Sequence, residues 1–214
     1  MRLKTPLLLT WLLFANTGAA YAQQQADDYE QLMDNGRFLL AQKRFPEAQA
    51  CFKKYAERYS SDPLSYFLLG TLADESGEFL KAVPLYAKSL SLAKSQGMDS
   101  EELRVNLGNT LLKLNYYDEA IFDYKRAIEI NNKNQAAHLN LGKALLLKGS
   151  YGEAIDELNR CTELGLEEAS LPLLRALALK NSGRAEEGKK EALRYLERSG
   201  SKNPELRKTV LDLF

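Results

Sequence analysis

The sequence predicts an all-α protein, an α-solenoid in which antiparallel helix pairs stack side by side into an arc. Three observations carry this expectation. The stretch VNLGNTLLKLNYYDEAI at residues 105–121 returns as LNLGKALLLKGSYGEAI at 139–155, 34 residues on, with nine of seventeen positions identical. Self-similarity at such a period is the signature of a repeat array in which each unit buries its apolar face against its neighbours. Around it, large apolar residues sit three or four apart on both sides of a polar break, the spacing of one buried helical face on each of two helices. Finally, a composition of 45% hydrophobic and 27% charged residues is that of a folded chain rather than a disordered one.

In chain order, the first expectation is a secretory signal peptide over residues 1–22. Arg2 and Lys4 lead an apolar run from Leu7 to Ala15, and Ala20-Tyr21-Ala22 has the small-x-small form of a cleavage site. The run is about half the length of a membrane span, which needs about 20 apolar residues. Removal of residues 1–22 takes away Trp11, the only tryptophan, and two basic residues, leaving 27 basic against 29 acidic and a net charge of −2. The expected location is therefore periplasmic or extracellular. Residues 23–28 are expected to be disordered.

Five units follow, at 29–62, 63–100, 101–134, 135–168 and 169–202. Each begins a helix that passes a small residue, Gly36, Gly70, Gly108, Gly142 and then Ala176. Twelve positions later come Ala48, Ala82, Ala120, Ala154 and, in the last unit, Gly188. Short side chains there let the two helices of a pair approach closely. Bulky residues follow the alanine at Phe52, Tyr86, Tyr124 and Leu158. In the fourth unit, His138, Leu141 and Leu145 form one stripe, KGSY breaks it, and Ile155, Leu158 and Cys161 resume. Ser150 with Glu153, and Asp99 with Glu102, have the capping-box pattern. Asp62-Pro63 and Asn203-Pro204 place a capping side chain before a first-turn proline. The second unit is four residues longer than the period and carries Pro84 in its second helix. The last has Pro172, Arg175 and Gly188 at apolar or alanine positions. Residues 203–214 are expected to form a capping helix, with Leu206, Val210 and Leu213 on one face.

This pattern resembles the tetratricopeptide repeat family over residues 29–202. The resemblance implies a right-handed superhelical arc whose concave wall is lined by the first helix of each unit and which binds protein or peptide segments. Carried onto this sequence, it places Met33, Phe67, Val105, Leu139 and Leu173 at groove-facing fifth positions. Arg37, Thr71, Asn109, Lys143 and Leu177 fall at ninth positions, and Leu40, Leu112 and Leu146 at twelfth ones. The fifth-position row has two readings, peptide contact or plain helix packing. The family's clamp for a partner's C-terminal carboxylate is not reproduced, because Val105, Ser170 and Leu174 occupy its basic positions although Asn109 and Asn140 fit its asparagines. The partner-binding candidates are Arg37, Phe67, Asn109, Leu112, Lys143 and Leu146.

Enzymatic chemistry is not expected. His138 is the only histidine, with no second one to complete a catalytic or metal site, and it falls on an inward stripe. No phosphate loop, CxxC, HExxH or GxSxG stretch occurs, so no cofactor or metal is implied. Basic residues between Arg184 and Lys208 alternate with glutamates, the pattern of a salt-bridged solvated face rather than of a nucleic-acid site. Cys51 and Cys161 fall in the first and fourth units, too far apart to bridge, and are expected to be buried free thiols, with intermolecular pairing the alternative. The expected function is an exported, non-catalytic scaffold that holds a protein or peptide segment. The alternative is a structural subunit that self-assembles by stacking repeat ends, a homo-oligomer.

Overall fold

A computed structural model describes residues 29–198 and 204–213. The signal peptide expected at 1–22, the disordered segment expected at 23–28 and the cap at Asn203 lie outside the described residues. What is described is helical: α1 (29–41), α2 (Phe45–Arg58), α3 (Pro63–Glu75), α4 (Phe79–Ser95), α5 (Glu101–Lys113), α6 (Tyr117–Ile130), α7 (Gln135–Lys148), α8 (Tyr151–Glu163), α9 (Leu171–Asn181), α10 (Ala185–Arg198) and α11 (Pro204–Leu211). Consecutive helices pack against each other along the chain, and the odd-numbered helices also touch directly, α3 with α5 and α5 with α7. Among the described residues no even-numbered pair meets as extensively. The odd helices therefore form the inner row of an α-solenoid and the even helices its splayed outer row. No helix among the described residues is long and apolar enough to cross a membrane.

The small residues sit at the pair crossings, and the structure shows what they make room for. A Cβ at Gly36 would lie 2.5 Å from the Phe52 ring, at Gly70 2.8 Å from Tyr86, at Gly108 2.7 Å from Tyr124, and at Gly142 2.9 Å from Leu158. Glycine is thus opposed by the bulky residue sixteen positions on rather than chiefly by the alanine. In the last pair Ala176 replaces glycine, and the residue sixteen positions on is Ala192; both are fully buried in one cluster. A side chain gained on one helix is matched by one lost on the other. Interiors at crystal-like packing density require such exchange.

The four extra residues of the second unit are absorbed mostly by α4, which has 17 residues where α2 and α6 have 14 and α8 has 13, close to one added turn. Pro84 lies inside that helix. Pro172 falls in the first turn of α9, where the missing N–H has no intrahelical partner to lose. Asp62 caps α3 as expected, its carboxylate accepting from the Leu64 N–H at 3.0 Å. Two other caps differ from expectation. α5 is capped by Ser100, whose Oγ accepts from the Leu103 N–H at 3.2 Å, because Asp99 is drawn onto Arg104 instead. Ser150 makes no side-chain cap, and its φ and ψ of −82° and 64° are not the extended cap geometry seen at Ser100. Val210 of α11 is buried against Ala176, Ala192 and Leu196, while Leu213 is exposed.

Candidate functional site: the inner wall

Two of the five ninth-position residues are tied to the residue fifteen positions later. Tyr86 donates its hydroxyl to Thr71 Oγ1 at 3.3 Å, and Tyr124 donates to Asn109 Oδ1 at 2.8 Å. A buried phenol needs an acceptor, and those two units supply one. Phe52 and Leu158 carry no hydroxyl, and there the ninth position is Arg37 or Lys143, donors only. Those two cations have no such structural duty. Arg37 is exposed and makes no ion pair among the described residues. Lys143 is about one-third exposed and lies 3.9 Å from Glu168.

Asn109 is different: its Oδ1 also accepts from Asn140 Nδ2 at 2.8 Å, joining α5 to α7. That oxygen is therefore filled by two donors, and substituting Asn109 strips the buried Tyr124 hydroxyl of its acceptor. The asparagine belongs to the frame as much as to the surface. What it leaves over is its own Nδ2, and beside it Asn140 Oδ1, neither bonded within the described residues.

The six candidates do not converge on one cavity. Arg37 and Phe67 line a hollow of about 340 Å³ with Asp62, Leu64, Met98 and Glu102; Phe67 also packs on the Tyr86 ring, centroids 5.9 Å apart. Leu112 and Leu146 are half-buried and rest against the central core. In the fifth-position row, Val105 and Leu139 are buried and Met33, Phe67 and Leu173 partly so. At Val105 and Leu139 the packing reading holds.

Behind this wall lies a buried ionic cluster that no local sequence pattern announces. Arg104, 1% exposed, donates through Nε and Nη2 to the Asp99 carboxylate, both at 2.8 Å, and through Nη1 to Asp123 at 3.0 Å. The fork fits a carboxylate in bidentate fashion and is the geometry in which arginine is tolerated inside. The guanidinium holds the Asp99 carboxyl below its ordinary range, whereas burial pushes Asp123 up. The next unit repeats the arrangement: His138 Nδ1 lies 2.7 Å from Glu157, and Nε2 3.2 Å from the Asn132 carbonyl. Both pairs are nineteen residues apart, a spacing that would have linked them in the sequence. Cys51 and Cys161 are free and buried, in separate clusters, and burial pushes the Cys161 thiol up to about 11. Among the described residues no three His, Cys, Asp or Glu side chains are grouped to hold a metal.

Residues 33–97 and 136–164 match the tetratricopeptide repeat family, and 108–149 match its TPR repeat. No curated protein matches the chain in sequence. Similar solved structures include the crystal structure of MamA, at 21% identity over 80% of this chain and 92% of that one, with a TM-score of 0.71. MamA 41-end from Desulfovibrio magneticus RS-1 superposes with a TM-score of 0.74 at 18% identity, over 83% of this chain and 98% of that one. YrrB, described as a TPR protein with an unusual peptide-binding site, gives 0.71 at 20% identity, over 86% and 93%. At these identities the likeness is one of fold.

Proposed function

The chain carries tetratricopeptide repeats, and on that premise we propose that it is a non-catalytic scaffold that holds an extended peptide segment along its inner wall. One observation carries the proposal. On successive inner helices, Asn109 presents an unused amide donor and Asn140 an unused carbonyl acceptor, fixed relative to each other by their own 2.8 Å hydrogen bond. A peptide backbone offers the complementary carbonyl and N–H, and a preformed pair binds them with little ordering cost. Arg37 and Lys143, one toward each end, favour an acidic segment, and the hollow under Phe67 takes an apolar side chain. YrrB, of the same fold, is described as having a peptide-binding site, which supports a peptide as occupant. We further propose that residues 1–22 direct export and are removed.

The experiment is selection from a random peptide library on immobilised wild-type protein, with the Arg37→Ala/Lys143→Ala protein as counter-target. Both cations lack a partner in the core, so the double variant should fold normally, as exposed substitutions usually do within about 0.5 kcal/mol. Enriched acidic sequences that the variant fails to retain are the expected result. Equal retention by both proteins would remove these two residues from the site.

A further inference from the structure

The outer row carries a surface that the inner wall does not explain. Between α4 and α6, two shallow hollows of about 540 and 390 Å³ lie on either side of Phe122, which is 61% exposed. Val83, Ala87 and Leu90 of α4 line one wall at helical spacing, and Leu107 of α5 lies under both hollows. The exposed ring and the apolar floor beside it form one contiguous patch, and contiguity rather than exposure alone is what marks an interface.

Two features mark this groove. The next one along, between α6 and α8, is spanned by the Lys125–Glu153 pair at 3.5 Å; among the described residues no ion pair crosses from α4 to α6. Its two ends also carry opposite charges. Glu119 lines the hollow at the Val83 end and Lys94 the hollow at the Leu90 end; among the described residues neither lies within ion-pair distance of a partner, and Lys94 acts only through space on Asp99 and Asp123. The neighbouring Asp118, by contrast, is held by Lys148.

We propose that this groove docks a second copy of the chain across a two-fold axis passing near Phe122. Knob and hollow are adjacent on one patch, the requirement for an isologous contact in which the same surface serves both subunits. The two-fold reverses the groove direction, so each Phe122 enters the hollow of the other copy while Lys94 meets the partner's Glu119, and Glu119 the partner's Lys94. Charge pairing then fixes the register, and the aromatic pair supplies the apolar core. The contact lies on the outer side of the array and leaves the inner wall open, so it stands or falls independently of peptide binding.

Sedimentation velocity over a dilution series tests it. Wild-type protein should dimerise. Phe122→Ser, Lys94→Glu and Glu119→Lys should each weaken the dimer about tenfold or more, a change of about 1.4 kcal/mol. Lys94→Glu/Glu119→Lys in one chain restores both cross-pairs and should dimerise like wild type. Mixing the two single reversals should give a mixed dimer stronger than either alone. Circular dichroism of each variant guards against unfolding, and the charge swap remains decisive even if Phe122→Ser misfolds. A wild-type monomer throughout, a dimer indifferent to Phe122→Ser in a folded variant, or a double reversal no better than the singles would each overturn the proposal.

Discussion

Gly108→Ala isolates the packing rule on which the array rests. The added methyl would lie 2.7 Å from Tyr124 Cε1 and 3.0 Å from Cδ1 and Cζ, about 1 Å inside the 3.5–4.0 Å of an ordinary carbon contact. The ring cannot swing away, because it is fully buried and its hydroxyl is tied to Asn109. Overpacking of this kind costs about 1–3 kcal/mol, while the better helix propensity of alanine returns about 1 kcal/mol. A net loss of up to about 2 kcal/mol is expected, and Gly108→Leu should cost more. Gly152→Ala is the control: nothing lies within 4 Å of its Cβ, so only the propensity gain remains. The Tyr124→Ala background gives the sharper comparison. That change alone should cost about 3–5 kcal/mol through the cavity it leaves, yet adding Gly108→Ala to it should be neutral or favourable, reproducing the Ala176 and Ala192 pair of the last unit. Denaturant titration of the four proteins by circular dichroism measures the coupling, expected between about 0.5 and 3 kcal/mol. Equal losses from Gly108→Ala in both backgrounds would refute the reasoning.

Other expectations follow from the buried polar groups and from the proposed export. Arg104→Ala leaves Asp123 and Asp99 without their cation, and should destabilise by about 3–5 kcal/mol in the same titration. Burial pushes Tyr86 up to about 12, and Tyr55, which also donates to Asp62, to about 12. Because the folded pKa lies above the unfolded one, near 10, the stability tied to these phenols is intact below pH 10 and is lost as pH rises toward 12. Melting temperature should fall across that window, and tyrosinate absorbance should lag behind that of the urea-unfolded chain; coincident titrations would contradict the burial. Intact mass of protein recovered from an exporting host should correspond to a chain starting at Gln23, and retention of Trp11 would sink the export proposal.

The pairing of helices was legible because period and small residues are local sequence properties. The 34-residue step and the Gly108 and Gly142 positions place the crossings without any tertiary knowledge. The identity of the opposing residue was not read, since it depends on how far two antiparallel helices slide past each other; sixteen positions is that offset. Ser150 resembles a cap in sequence and does not act as one, because capping requires a backbone geometry that pattern alone does not specify. Arg104 is not marked by any local pattern for a similar reason: burying it depends on Asp99, delivered by the lengthened second unit, and on Asp123 nineteen residues further on. Arg37 and Lys143 were found as candidates by position. Their distinction from Asn109 was also present in the sequence, in the absence of a hydroxyl at Phe52 and Leu158.

Backbone amide chemical-shift mapping with a library-selected acidic peptide tests peptide binding along the inner wall most directly. The account predicts saturable shifts on the inner faces of α1, α3, α5 and α7, including the side-chain amides of Asn109 and Asn140, and their loss in the Arg37→Ala/Lys143→Ala protein. Shifts confined to the even-numbered helices, or unchanged by that double substitution, would contradict it.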